Sequence, residues 1–333
     1  MEFTGGGRLE VRITAADVGK RVSVRYVTDS AAPGEKFTDA VGVLTSWDAG
    51  VLLITRRTGE AVRIAESALV AGKTVPAAPA RRRGPSATFA ELARAAARAW
   101  PPLEAEPLGE WTLRASGGFT RRANSVLPLG DPGLPLDAAL DRARDWYAAR
   151  DLPPYVQTAT GAADTQELLS AELERRGWTR EVSAELRIAA LAPIGDLAAD
   201  TSAVRIERGF DENWLRRYQR FGEPGPHVTK VLAGGPSVWF ASVPGTEEAA
   251  AAIGRLVVDG RWAGFMAVEV DPEQRRRGLA TAVMTALARR ALDEGASAAW
   301  LQVEADNHGA RALYDGMGFT THHHYHHYRW TGA

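Results

Sequence analysis

Two long stretches of this chain carry helices and strands in the same order. Each reads as a strand, a loop, a helix, a second strand and a second helix, because apolar residues at helical spacing alternate with short apolar runs. Self-similarity of this kind is typical of a duplicated structural unit. We therefore predict an α+β protein with a weak internal duplication. The matching segments are ANSVLPL, GDPGLP, LDAALDRARDWYAARD, YVQTAT and TQELLSAELERRGW in the first stretch, and WAGFMAVEV, residues 271–277, GLATAVMTALARRALDEG, AAWLQVE and NHGARALYDGMGF in the second.

The N-terminal part of the chain has another pattern. Residues 8–75 carry short β-branched runs separated by turn signals such as Asp48-Ala49-Gly50, which predicts a small, strongly bent β-barrel. In pattern it resembles the Sm-like and Src-homology-type barrels. Residues 76–86 are rich in Pro, Ala and Arg and have no apolar period, so we interpret them as a linker. The predicted domains are 8–75, 87–198 and 200–333.

Composition excludes several classes of function. Lysine and arginine number 40 against 41 acidic residues, a formal charge of -1, so no global basic field attracts nucleic acid or an anionic membrane. The chain has no cysteine, which excludes disulfides, thiolate metal sites and thiol nucleophiles. It has neither a signal-peptide pattern nor 18 consecutive apolar residues, so we expect a cytoplasmic protein without a membrane partner. The run Arg81-Arg82-Arg83 could contact nucleic acid and make the N-terminal part an adaptor, but a solvated linker is favoured.

The segment AVEVDPEQRRRGLATAV has the features of an anion site. An apolar strand ends at Val270, and a helix begins near Gly278. The first N–H groups of a helix have no intrahelical partner, and the helix dipole favours negative charge there. Small residues at Gly278 and Ala280 let a phosphate approach the backbone, and Arg275, Arg276 and Arg277 add positive charge. The alternative is an Arg-rich helix start on a solvated surface.

A second motif follows at the expected distance, in AAWLQVEADNHGARALYDGMGF. With both motifs present, residues 203–330 resemble the GNAT N-acetyltransferase superfamily. The residues that carry the resemblance are Arg275, Gly278 and Ala280, which match the pattern Arg/Gln-x-x-Gly-x-Gly/Ala, and Asn307, Ala310, Tyr314 and Gly318-Phe319.

The resemblance implies a GNAT acyltransferase fold, a mixed sheet flanked by helices in which two parallel strands splay apart. These strands would end at Val270 and Glu304, and acetyl-CoA would lie in the V-shaped cleft between them, with no metal. The backbone of residues 268–270 would bind the pantetheine arm, and the amide near Val268 would face the acetyl oxygen. Asn307 would contact the coenzyme and also serve as an N-cap. The implied coenzyme-binding residues are Val268, Glu269, Val270, Arg275, Arg276, Arg277, Gly278, Leu279, Ala280, Thr281, Asn307 and Tyr314.

The resemblance also assigns catalytic candidates. Tyr314 would protonate the departing thiolate, although helical spacing with Leu313 and Met317 also suits a core tyrosine. Some relatives have a glutamate base two residues before the position of Glu304, where this chain has Gln302. The remaining candidates for the base are Glu269, Glu304 and Glu223, although for each of them a solvated or structural carboxylate is favoured.

Two further segments bear on function. The tail THHHYHHYRW suits a closing strand, with a histidine that reaches the acceptor pocket as the alternative. The middle stretch has GDPGLPL where the anion site should be and Leu173 in the position of Tyr314, so it resembles a degenerate acetyltransferase repeat.

These observations lead to one functional hypothesis and one alternative. The chain is expected to be an N-acetyltransferase that moves an acetyl group from acetyl-CoA to a primary amine, of a small molecule or of a protein, by direct attack. The alternative is a CoA-binding sensor or scaffold, which the missing strand glutamate favours. The acceptor and the oligomeric state stay open.

Overall fold

The computed structural model describes residues 10–28, 37–76, 84–218, 225–245 and 249–332. Residues 8 and 9, the run Arg81-Arg82-Arg83 and the candidate base Glu223 lie outside this part of the chain. The chain divides into two compact units. The first comprises the described residues of Met1–Ala80 with Thr158–Thr179 and Thr331–Ala333, and the second comprises those of Arg81–Gln157 and Arg180–Trp330.

The helices are α1 (Phe89–Ala99), α2 (Leu136–Ala148), α3 (Glu167–Arg175), α4 (Ala192–Gly195), α5 (Glu212–Arg217), α6 (Pro226–Ala233), α7 (Leu279–Asp293) and α8 (His308–Gly316). The strands are β1 (Arg21–Val27), β2 (Phe37–Asp48), β3 (Val51–Thr55), β4 (Ala61–Ala65), β5 (Leu69–Thr74), β6 (Glu104–Leu108), β7 (Trp111–Ala115), β8 (Leu127–Pro128), β9 (Tyr155–Thr160), β10 (Trp178–Ala190), β11 (Arg205–Glu207), β12 (Ser237–Val243), β13 (Ala252–Asp259), β14 (Trp262–Val270), β15 (Ala298–Glu304) and β16 (Thr320–Trp330).

The first unit contains a five-stranded antiparallel sheet with the order β4-β3-β2-β1-β5. Alternating residues of these strands, among them Val22, Leu44 and Ile54, are fully buried, so one face of the sheet forms the core. The predicted small, bent β-domain is therefore confirmed as a barrel-like sheet. It is not closed, because its edge strands β4 and β5 do not pair within the part of the chain that is described.

The second unit is built on an eight-stranded mixed sheet with the order β11-β12-β13-β14-β15-β10-β16-β9. Helix α7 packs closely on this sheet. A Cβ atom at Gly254 of β13 would lie 2.6 Å from Val283 and 3.0 Å from Leu287 of α7, so only glycine permits this approach. The predicted α+β class is confirmed.

Strand exchange joins the two repeats. Strand β10 comes from the middle stretch, yet it lies between β15 and β16 of the last stretch, and it pairs antiparallel with β15 from Ala184↔Glu304 to Ala190↔Ala298. Strand β16 in turn neighbours β9 of the middle stretch. The final strand of each repeat thus extends the sheet of the other repeat. The local patterns of the sequence do not predict this exchange of β10 and β16.

The middle stretch keeps the parallel pairing of its counterpart. Val126 and Val156 form an isolated parallel bridge, so the chain leading into β8 lies beside β9, as β14 lies beside β15. The predicted strand ANSVLPL is shorter than expected, because only Leu127–Pro128 is in strand conformation. Pro128 has no N–H to donate to a sheet, which limits its extension.

Candidate functional site

The cleft opens where two parallel strands diverge. Strands β14 and β15 pair only from Trp262–Phe265 to Ala298–Leu301. Beyond these residues β14 stays paired with β13 as far as Val270, and β15 stays paired with β10 as far as Glu304. The predicted splay is confirmed, and it leaves the backbone groups of β14 on that side available to an added strand-like ligand.

A bulge in β14 lies at the start of the splay. The register with β13 shifts between Ile253 and Arg255, and Ala267 has a φ of 50°. A left-handed conformation is unfavourable for a residue with a Cβ atom, and such strain is concentrated at functional sites. The bulge also changes the direction of the following residue, so it determines where the amide of Val268 points.

A helix N-terminus faces the same opening. Gly278 precedes α7 with a φ of 80°, and the first helical bond runs from the N–H of Ala282 to the carbonyl of Gly278 at 2.9 Å. The N–H groups of Leu279, Ala280 and Thr281 therefore have no intrahelical acceptor. A Cβ atom at Gly278 would meet no atom within 4 Å, so open space adjoins these donors.

Positive charge surrounds these amides. Arg275 and Arg276 are exposed, and their side chains have no hydrogen-bonded or ionic partner among the described residues. Arg217 is buried, forms an ion pair with Asp271, and donates from Nε to the carbonyl of Ala250 at 2.6 Å. The loop before α7 is thus tied to the sheet on one side and presents free guanidinium groups on the other.

The strands and the helix N-terminus together line a cleft of about 720 Å³. Of the predicted coenzyme-binding residues, all except Arg277 and Tyr314 line it, and their contact with coenzyme stays a prediction. Sequence reasoning missed Arg217, which comes from a short helix without a motif. The lining residues are Arg217, Val268, Glu269, Val270, Pro272, Gln274, Arg275, Arg276, Gly278, Leu279, Ala280, Thr281, Asn307, Gly309, Ala310 and Leu313.

The two predicted residues that do not line the cleft have other contacts. Arg277 donates a hydrogen bond to the side chain of Gln274. Tyr314 is buried in the core, where its ring centroid lies 5.8 Å from that of Phe319. Its neighbour Leu313 does line the cleft, so Tyr314 lies just behind the wall. Its role as the acid stays a prediction.

Asn307 has the capping role that its position suggested. Its Oδ1 accepts a hydrogen bond from the N–H of Ala310 at 3.1 Å and so caps α8. Its Nδ2 donates to no described residue, and the side chain borders the cleft. Capping and ligand binding are therefore compatible.

A second cavity, of about 380 Å³, lies in the same unit. The two described candidate bases occupy different places, with Glu269 in the cleft and Glu304 in the second cavity. Its arginines, Arg121 and Arg122, belong to the middle repeat and match no motif, so the sequence does not indicate them as site residues. The lining residues are Phe119, Thr120, Arg121, Arg122, Val182, Tyr218, Glu304, Tyr325 and His327.

The histidine tail forms strand β16, as expected. His323 and His327 are buried, and so is His326, whose Nδ1 lies 2.8 Å from Ser183 Oγ. Burial, with Arg180 and His324 nearby, lowers the pKa of His326 to about 3. The pKa of His327 is also well below its usual value, first because of burial and then because of neighbouring arginines that include Arg122. Both rings are therefore neutral near pH 7.

The described residues contain no group of three or more His, Asp or Glu side chains that could hold a metal ion. None of the described helices is long and apolar enough to cross a membrane.

Comparison with known proteins identifies the family. The family described as "Probable histone acetyltransferase Rv0428c C-terminal" matches residues 86–328, and "Rv0428c N-terminal Sm-like domain" matches residues 16–73. The chain is 31% identical to the probable histone acetyltransferase Rv0428c of Mycobacterium tuberculosis over 92% of this chain and 93% of that protein. Of the two barrel types that the N-terminal pattern resembled, the Sm-like type is confirmed.

Two solved structures share the fold. A GCN5-related N-acetyltransferase from Kribbella flavida has a TM-score of 0.52 at 16% identity, over 72% of this chain and 96% of that one. A tandem GNAT protein from the clavulanic acid biosynthesis pathway has a TM-score of 0.51 at 13% identity, over 75% of this chain and 90% of that one. The predicted tandem GNAT fold is thus confirmed, the chain is an acyltransferase, and it belongs to the GNAT family of the probable histone acetyltransferase Rv0428c.

Proposed function

We propose that this protein is an acetyl-CoA-dependent N-acetyltransferase that acts on a primary amine. The observation that carries the proposal is the cleft at the splay, where unpaired strand backbone, unpaired helix amides and free arginines converge. These groups fit the coenzyme. The amides of Leu279, Ala280 and Thr281 with Arg275 and Arg276 suit a pyrophosphate, and the open edge of β14 suits an extended amide-containing arm.

Different residues of the chain have separate roles in acetyl transfer. The bulge at Ala267 changes the direction of the backbone at Val268, whose amide would donate to the acetyl oxygen as negative charge develops there. Glu269 and Glu304 are the described candidates to take the proton of the incoming ammonium, and Tyr314 is the candidate to protonate the thiolate. The amine attacks the thioester directly, since the chain has no cysteine to hold an acyl group.

We assign this chemistry to residues 200–333 and treat residues 87–198 as a degenerate copy. In the loop before α2, the side chain of Glu110 accepts the N–H of Asp131 at 2.7 Å, and Asp131 accepts the N–H of Gly133 at 2.7 Å. Two carboxylates thus occupy the place where a pyrophosphate would need positive charge. Leu173, in the position of Tyr314, is fully buried and has no proton to give.

The test measures acetyl-CoA turnover with a panel of primary amines. The release of free thiol is the readout. Because the chain has no cysteine, every thiol detected is that of the coenzyme. The panel includes a lysine peptide from a histone, since the relative is named a probable histone acetyltransferase. We expect thiol release above the rate without an amine for at least one acceptor.

A CoA-binding sensor or scaffold is the second candidate. Gln302 stands where some relatives have a glutamate, and its Oε1 is buried without a hydrogen-bond partner among the described residues. An amide cannot accept a proton usefully at neutral pH. Tight coenzyme binding without thiol release for any amine would favour this function.

A further inference from the structure

The second cavity is built by both repeats and adjoins the coenzyme cleft. The middle repeat supplies Arg121 and Arg122, and the last repeat supplies Glu304 and His327. Arg217 lines the cleft, and the next residue, Tyr218, lines the cavity. One short stretch of backbone therefore borders both spaces.

The wall formed by the middle repeat is cationic. Arg122 donates from Nη2 and Nε to the phenol oxygen of Tyr325, at 2.6 and 3.1 Å, and has no carboxylate partner among the described residues. Arg121 forms an ion pair with Glu181 at 3.1 Å, and this carboxylate is shared with Arg329. The positive charge on this side is thus only partly compensated.

His327, from the last repeat, lies near Arg122 and has unused hydrogen-bonding capacity. It is only 2% exposed, and neither ring nitrogen has a partner within the described parts of the chain. Its ring stands edge-on to those of Tyr155 and Tyr325, which offer no acceptor to it at 6.4 and 5.7 Å between centroids. Leaving a buried donor unsatisfied is unfavourable, so a ligand that accepts the imidazole N–H would remove that cost.

The last repeat adds one acidic side chain to the lining of the cavity. The side chain of Glu304 lines the cavity and has no hydrogen-bonded or ionic partner in the described residues. A carboxylate, two arginines and a neutral imidazole that line one cavity match a molecule that carries both an amine and an anionic group.

We propose that this second cavity is the acceptor site and that it selects a small amine bearing a carboxylate or phosphate. The anionic group binds Arg122 and His327, and the ammonium faces Glu304. This inference rests on the proposed function. The ammonium gives one proton to Glu304, its nitrogen forms the C–N bond as the C–S bond breaks, and the nitrogen's second proton balances the one that the thiolate takes up.

The first test compares matched acceptors with the full chain. β-Alanine is paired with β-alaninamide, and O-phosphoethanolamine with ethanolamine, so each pair differs in the anionic group alone. Charge-assisted hydrogen bonds predict a kcat/KM about 10- to 100-fold higher for the anionic member of at least one pair. The pair that shows this difference in kcat/KM identifies whether the selected anionic group is a carboxylate or a phosphate. Equal values in both pairs, or faster turnover of a lysine peptide than of either anionic probe, overturn the proposal.

Substitutions at Arg122 then test whether this residue binds the anionic group. Arg122→Gln should reduce the ratio within the preferred pair towards one, and Arg122→Lys should restore part of it. Arg142→Gln, which removes an exposed arginine paired with Glu106, is the matched control and should leave the ratio unchanged. An unchanged ratio in Arg122→Gln contradicts the proposal.

A binding measurement separates this proposal from the proposed function. The imidazole resonances of His327, assigned with a His327→Gln spectrum, should shift on titration with the preferred anionic amine and not with its neutral partner. A shift without turnover of any amine would retain the site and overturn the acetyltransferase function. Turnover without a shift would support the acetyltransferase function and overturn the proposed acceptor site.

Discussion

The carboxylate of Glu185 in β10 lies 2.9 Å from the guanidinium of Arg311 in α8. Glu185 is buried, and Arg187, two residues further along the strand, donates to the backbone carbonyls of Arg311 and Phe319 at 3.1 and 3.2 Å and forms an ion pair with Asp315. A strand of the middle repeat is thus held by buried charges to the helix that borders the cleft. The middle repeat therefore contributes directly to the architecture of the last repeat.

The first prediction concerns this buried network. Arg187→Ala should lower the free energy of unfolding by about 3–5 kcal/mol, because Glu185 would keep a buried charge with fewer partners. Arg205→Ala, in edge strand β11, is the control, and its exposed side chain predicts a change within about 0.5 kcal/mol. Urea unfolding of both variants measures the difference. Similar losses in both would mean that the network does not anchor β10.

Features formed by residues that are close together in the sequence could be predicted, whereas features formed by distant residues could not. The anion site near Gly278 arises from one continuous loop and helix start, so its residues could be read in order. The placement of β10 beside β15 depends on residues more than a hundred positions apart, so no local pattern indicates it. The same distance hid the second cavity, where Arg122 and Tyr325 meet.

The second prediction tests the anion site with a matched pair of glycines at the two ends of α7. Gly278 and Gly295 both have positive φ, and a Cβ atom at either meets no atom within 4 Å. Asp at either position therefore brings a similar backbone cost of about 1–2 kcal/mol. Only Gly278→Asp should abolish acetyl-CoA binding in calorimetry, because its carboxylate would lie where a pyrophosphate binds. Equal affinities in the two variants would exclude this site.

The third prediction concerns Tyr314. Tyr314→Phe should lower kcat about 100- to 10,000-fold and change coenzyme affinity little, because it removes a proton donor and keeps the packing against Phe319. Tyr147→Phe is the control, since that hydroxyl donates to the carbonyl of Arg114 at 2.9 Å. Loss of the Tyr147 hydroxyl should lower the free energy of unfolding by about 1 kcal/mol and leave kcat unchanged. Full activity in Tyr314→Phe would make Tyr314 a core residue only.

The last prediction follows from the buried histidine next to Ser183. Burial, aided by Arg180 and His324, lowers the pKa of His326 to about 3, whereas in the unfolded chain it is near 6.5. Between these values the unfolded chain binds a proton that the folded protein does not, so stability is lost as the pH falls from about 6.5 to about 3. At pH 5 the loss from this residue is about 2 kcal/mol relative to pH 7.5. Urea unfolding at both pH values measures it. His326→Asn cannot titrate, so its stability should fall less over the same interval; an identical fall would mean that other groups cause the acid sensitivity.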